Sequence, residues 1–475
     1  MLWIAIDLPA LALEASPPPA VPPEPWAVID NDCVLVCNAQ AQACGVRAGM
    51  RVTAACAIAP RLNCRPRNAA AEAAALDALA AWALQFTPNV SLEPPRALLL
   101  DIEGSLGIFG GIRALLQAVE RGLADMGYSA TLACAPTATA AWLLARAGLA
   151  RTVHCKRALA EAVAALPLAA LECAAHTARL LQDTGVKRVG DLLALPRAGV
   201  ARRCGQPLLD TIDRALGRRP APRKFFAPPA RFEAQLEFPV PAAHGEALLF
   251  AARRLLNGLA GFLAARNGGV QRLKFLLRHE KCPATTVEIG LVAPTRDAAH
   301  LTLLARERFA AFTLPAPVCA IALAADDILE LAGENDSFFP DRLRDRGAWE
   351  NLVERLRARL GPDAVHGVAM RDEHRPERAC RRVAPGTTST TLARGPRPLW
   401  LFDTPRALAA ASALPRDDNG PLALIAGPER IESGWWDNDD FRRDYFIAQS
   451  AAHSMLWVYR ERRRPGGWYL HGVFG

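Results

Sequence analysis

The chain has 475 residues, of which 51% are hydrophobic and 22% charged, with a formal net charge of +8 and a pI near 9.0. That length predicts three or four domains with cores of their own, and the composition excludes a disordered or fibrous chain. The basic balance admits nucleic acid as a partner without establishing it.

Leu2–Leu8 is a short apolar run that reads as a buried strand. The proline-rich stretch 17–25 must be a loop. Ala27–Ile29 and Val34–Cys37 flank Asp30-Asn31-Asp32 as a hairpin. Ala69–Leu84 has helical periodicity, Leu98–Ile102 reads as a strand, Ile112–Met126 as a helix, Ser129–Ala135 as a strand and Thr137–Ala147 as a helix. This alternation predicts an α/β layer. From Leu166 to Pro220 the pattern is helical, and a Pro/Arg linker follows to Pro229. Strand-like runs at Val270–Leu277, Thr286–Leu291 and Val318–Leu323, with helices at Gly245–Ala265 and Ala298–Ala311, predict an α+β domain. A charged helix over Asp341–Leu360, a Pro/Arg stretch over Arg381–Pro398 and an aromatic tail complete the chain.

Twelve cysteines are scattered without paired CxxC motifs or zinc spacing, so reduced thiols are expected, with no metal and no cofactor. The N-terminus lacks a basic leader, and no uninterrupted apolar run reaches the ~20 residues that span a bilayer. A soluble cytoplasmic protein with no membrane partner is the expectation.

Three segments carry the chemistry. Pro94-Pro95-Arg96-Ala97-Leu98-Leu99-Leu100-Asp101-Ile102-Glu103-Gly104 places Asp101 and Glu103 on one face of a strand. Gly45-Val46-Arg47-Ala48-Gly49-Met50 follows Ala39 and Gln42, and Ala133-Cys134-Ala135-Pro136 leads into Thr137-Ala138 and Trp142. In this order the segments resemble the Y family of translesion DNA polymerases. The resemblance implies an α+β, polymerase-like right hand with an extra C-terminal interaction region. Palm and fingers would occupy 1–165, a helical thumb 166–228 and a little finger 229–335. A clamp peptide, a linker and a partner-binding region would fill 336–475.

The departures from the family pattern are as informative as the matches. The family's metal-binding Asp-Glu pair falls on Arg96 and Ala97. Its triphosphate-holding Tyr and Arg fall on Ala39 and Gln42, its Asn-Lys on Thr137-Ala138, and a further lysine on Trp142. Two-metal nucleotidyl transfer needs clustered carboxylates, and an arginine cannot ligate Mg²⁺. No catalytic residue is therefore expected. A match anchored on Glu14 sets Ala5 at the catalytic aspartate and makes Asp7 a capped strand end, whereas a shift of two residues would put Asp7 there. The alternative is an active polymerase using Asp7, Asp101 and Glu103.

Thr184–Leu192 resembles the thumb's helix-hairpin-helix. Gly185, Lys187, Arg188, Gly190, Arg202 and Arg203 are its candidate DNA-binding residues, offering backbone N–H groups and cations to phosphates. Glu334–Pro340 resembles a weak sliding-clamp peptide, with Asn335, Phe338 and Phe339 as anchors. Beyond Gly427, Trp435, Trp436, Arg442, Arg443, Tyr445 and Trp468 are candidate partner-binding residues. The plainer reading makes at least half of these rings the core of a small β-domain. The tail is expected to be separable from about Gly427. The motif order, with His374-Arg375-Pro376-Glu377-Arg378 and the aromatic tail, resembles the non-catalytic Y-family-like subunit of bacterial SOS mutasomes. That resemblance implies four partners: primer-template DNA, the sliding clamp, an ImuA-type RecA-like protein and a DnaE-type error-prone polymerase.

Overall fold

The computed structural model describes residues 1–16, 24–171, 173–325, 327–331, 342–361, 363–385, 387, 395–411, 414–436 and 440–474. The chain forms two compact units, Met1–Leu360 and Gly361–Gly475.

In the first unit, β1 (Trp3–Asp7) is the inner strand of a four-stranded sheet. The hairpin β2 (Trp26–Asp30) and β3 (Cys33–Cys37) and the strand β4 (Asn63–Pro66) make a separate three-stranded sheet. Then come β5 (Val90–Glu93), β6 (Ala97–Asp101) and β7 (Thr131–Ala135), which join β1 in the order β5-β6-β1-β7. Every pairing in this palm-like sheet is antiparallel, which corrects the α/β layer expected from the alternating pattern. The alternation of elements was right. Their connections link antiparallel strands, so the class is α+β.

β1 is buried on both faces, which is why it reads as an unbroken apolar run. Ile4 and Ile6 face the helices Ala69–Ala83 and Ile112–Asp125, while Trp3 and Ala5 face the helix Ala138–Arg146 and the thumb helices. Gly122 is needed where the first two helices meet, because a Cβ there would stand 2.3 Å from the Trp82 ring. The fingers-like sheet has its own small core of Ala27, Val34, Cys37, Ala41 and Val46.

Residues 219–231 form no regular element, yet they are tied to the palm. Phe226 N–H donates to the Val90 carbonyl at 2.7 Å, and the Phe226 ring packs on the palm core. The little-finger-like domain is built from β8 (Phe232–Ala242), β9 (Gly268–His279), β10 (Thr285–Thr295) and β11 (Val318–Ala325) in the order β10-β9-β11-β8, with β12 (Ile328–Glu330) on β9. The helix Gly245–Ala265 packs beneath this sheet. By length and composition it would also cross a membrane. Here Leu248, Leu256, Leu259 and Phe262 are buried in the domain core, the environment that explains its apolarity. The helix Arg342–Leu360, grouped by sequence with the C-terminal region, belongs to this first unit.

The second unit pairs β13 (Gly367–Met370) with β14 (Cys380–Val383), which runs into the start of the stretch expected to be a linker. A seven-stranded antiparallel sheet follows. It comprises β15 (Trp400–Ala411), β16 (Leu414–Asp417), β17 (Gly420–Pro421), β18 (Ala423–Ser433), β19 (Phe441–Gln449), β20 (Met455–Glu461) and β21 (Gly467–Val473), ordered β17-β16-β15-β21-β20-β19-β18. Alternation sends Ala448, Val458 and Trp468 to one face and Tyr445, Trp457 and Tyr459 to the other, so both faces carry a core. Gly427 lies inside β18. A cut there would strip three strands from the sheet, so the tail is not separable at that point.

Candidate functional site

A cleft of about 260 Å³ opens between the palm-like and fingers-like sheets, lined by Asp7, Leu35, Arg67, Glu72, Glu93, Arg96, Trp142 and Arg146 among others. Three carboxylates face it, and each is held by an arginine. Arg96 donates from Nε and Nη2 to the two oxygens of Asp7 at 3.0 and 3.1 Å. Arg67 bridges Glu72 at 2.8 Å and Asp30 at 3.2 Å. Arg223 pairs with Glu93.

The register of the sheet fixes what these groups can do. Asp7 stands opposite Ala97, so it is Asp7 that stands beside Arg96. Ala5 is fully buried opposite Leu99, two rungs from the Asp7–Ala97 pair. Glu14 is used elsewhere, accepting from the Ser129 N–H at 2.9 Å. Asp7 is 3% exposed. Burial raises its pKa above the ordinary value, and the Arg96 guanidinium pulls in the other direction. Asp101 stands opposite Trp3, four rungs from Asp7 and roughly 13 Å along the strand. Glu103 binds the N-terminal ammonium at 2.8 Å. Asp7, Asp101 and Glu103 therefore do not converge on a pair of cations. Among the described residues no three or more His, Cys, Asp or Glu side chains cluster as a metal site would need.

The positions where the resemblance sets triphosphate contacts are spent on local structure. Ala39 opens a short helix capped by Asn38, and Gln42 spends its amide on the Cys37 carbonyl at 3.0 Å. Arg47 is folded onto its own loop, donating to Gln42 and Val46 carbonyls at 2.7 and 3.0 Å. Trp142 lies under the Arg146 guanidinium, 5.4 Å from its ring centre.

In the thumb, Lys187, Arg188, Arg202 and Arg203 are exposed, and Gly185 takes a φ of +80° in the hairpin turn. The backbone is less available than the sequence suggested. Asp191 accepts the Lys187 and Arg188 N–H groups at 3.0 and 2.9 Å, which holds its carboxyl below the usual range. The N–H groups of Gly185, Val186 and Val189 go to carbonyls of Gln182, Leu181 and Leu166. Gly190 faces the end of the helix Lys156–Ala164, where a Cβ would stand 3.0 Å from the Ala164 carbonyl, so its smallness serves packing. The sequence pattern also held a second basic row that motif reasoning missed. On β9, Arg272, Lys274 and Arg278 alternate outward from buried Leu273, Phe275 and Leu277. The period-2 pattern was the signal that could have found them.

Asn335, Phe338 and Phe339 lie outside the described residues. In the second unit, Trp435 and Trp436 are 77% and 59% exposed and pack edge to face. Arg442 is exposed beside Asp440. Tyr445 and Trp468, by contrast, are core residues at 1% and 6% exposure, so neither presents a ring to a partner. Arg443 is also internal. It bridges Glu377 and Glu461, bonds the Tyr445 hydroxyl and stacks on Phe441 and Tyr459. The pattern was ambiguous because a β-core and an interface draw on the same residue types.

Residues 11–146 match the impB/mucB/samB family model. Protein ImuB from two strains of Caulobacter vibrioides is 30% identical over 458 residues, which cover 91% of this chain and 100% of the relative. Solved structures similar to the chain include DinB from Sulfolobus solfataricus (17% identity, TM-score 0.39, 70% of this chain and 100% of that one). A Dbh ternary complex is similar at the same identity, coverage and TM-score. The match to the curated relative runs through both units, beyond the segment the family model covers, and on that extent the chain belongs to the ImuB family.

Proposed function

We propose that the chain is a non-catalytic adaptor of an error-prone translesion synthesis complex acting in SOS mutagenesis in the cytoplasm. It would hold primer-template DNA through thumb and little-finger cations. It would also link the sliding clamp, an ImuA-type RecA-like protein and a DnaE-type polymerase that performs synthesis. The observation that carries this reading is the Asp7–Arg96 pair. A guanidinium occupies the acidic partner of the sheet position where a Y-family-like palm would gather metal ligands, and the remaining carboxylates of the cleft are also taken. Family membership supports it. An adaptor gains function by raising the effective concentration of weakly bound partners and needs no chemistry of its own.

Primer extension with Mg²⁺ or Mn²⁺ tests the reading. No incorporation is expected from the purified chain. Robust extension abolished by Asp7→Ala or Asp101→Ala would overturn it and restore the active-polymerase alternative.

A further inference from the structure

The helix Arg342–Leu360 carries two apolar faces, and the fold uses one. Val353 and Glu354 turn inward at 3% and 4% exposure, and Ala358 packs on the little-finger core. Glu354 accepts the Val292 N–H at 2.6 Å and lies 2.5 Å from His300 Nε2, which pins the helix to the domain. Trp349, Leu352, Leu356 and Leu360 turn outward, all more than a third exposed. Their spacing of i, i+3, i+7 and i+11 sets them in one stripe down the helix. Single exposed leucines are ordinary, whereas a contiguous stripe headed by tryptophan has the form of an interaction surface. Arg355 and Arg359, both exposed, follow the stripe along its outer edge, with Glu307 only distantly paired to Arg355 at 3.9 Å.

We propose that this stripe is a docking surface for an acidic amphipathic helix of another protein. The partner's apolar face would cover Trp349, Leu352, Leu356 and Leu360, and carboxylates on its flank would meet Arg355 and Arg359. A second copy of this chain fits poorly, because pairing two such stripes brings four arginines to one seam. The anchored helix is held before the partner arrives, so little ordering cost falls on binding.

Fluorescence anisotropy on the full chain tests this with two labelled helical peptides. Both carry leucines at i, i+3 and i+7, one with glutamates on the flanks and one with lysines. Saturable binding of the glutamate peptide is expected, at least ~tenfold tighter than of the lysine peptide. Leu352→Ser with Leu356→Ser should weaken it by ~tenfold or more without lowering Tm, because both side chains are exposed. Arg355→Glu with Arg359→Glu should reverse the preference between the peptides. Absence of binding, or binding indifferent to the leucine pair, would overturn the proposal. So would a concentration-dependent dimer abolished by the leucine pair, which would assign the stripe to a second copy.

Discussion

The guanidinium of Arg96 meets both carboxylate oxygens of Asp7 across the palm-like sheet, at 3.0 and 3.1 Å, with the acid almost wholly buried. The two residues lie 89 positions apart in the chain, and only the β1–β6 register brings them together.

Breaking this pair from the arginine side is expected to cost more than removing both charges. Arg96→Ala strands a buried carboxylate. Arg96 itself is 40% exposed, so the loss should be about 1–3 kcal/mol, below that of a fully buried pair. Adding Asp7→Asn should recover most of it. Urea unfolding of the two variants measures the difference, and equal losses would show that the charge on Asp7 is already well solvated.

The thumb cations should contribute affinity without sequence information. Replacing Lys187, Arg188, Arg202 and Arg203 by alanine should lower DNA affinity and flatten its dependence on salt by about 0.9 in log–log slope for each phosphate no longer neutralised. An unchanged slope, read from anisotropy titrations between low and physiological salt, would move the DNA-binding surface away from the hairpin.

Rings that look alike in sequence should separate in their effects. Trp468→Ala removes a core side chain and should destabilise the second unit by about 3–5 kcal/mol. Trp435→Ala with Trp436→Ala should leave Tm within a degree or two, since both are exposed, and should reduce capture of the ImuA-type or DnaE-type partner. Pull-downs paired with thermal melts distinguish the two. A lowered Tm in the exposed pair would make those rings structural.

The buried His471 gives the second unit an acid-sensitive core. Its Nδ1 lies 2.8 Å from the Tyr445 hydroxyl, and burial pushes its pKa from 6.5 down to about 4. The folded state therefore keeps the ring neutral while the unfolded chain takes up a proton first. Stability is fully present above about 6.5 and drains as pH falls towards about 4, by roughly 3 kcal/mol in all. Glu373, held down from 4.5 to about 2 mainly by its hydrogen bond from Arg375, contributes stability that drains later, between those values. His471→Asn should flatten the upper window alone, measurable as urea midpoints against pH.

The elements of the first unit were legible in the chain because each has a local cause. Leu115, Val119 and Leu123 recur at helical spacing, the tight turn at Asn31-Asp32 punctuates a hairpin, and the helix Gly245–Ala265 was bounded correctly from its apolarity. The substitutions Arg96 and Ala97 were also legible, since they concern residue identity and nothing more. Pairing was not legible. Whether Asp7 or Ala5 stands beside Arg96 depends on a register that a slip of two residues would exchange. Whether alternating elements make a parallel or an antiparallel sheet depends on how the crossovers run. Whether Tyr445 and Trp468 face a partner or each other's neighbours depends on strands closing around them. Gly190 and Asp191 belong to the same class, since a glycine that spares an Ala164 carbonyl and a carboxylate that consumes the hairpin's N–H groups show their roles only once the helices are packed. The order of residues settles which chemical groups this protein possesses. Folding settles which of them meet, because long-range contacts are set by register and packing, which no local pattern encodes.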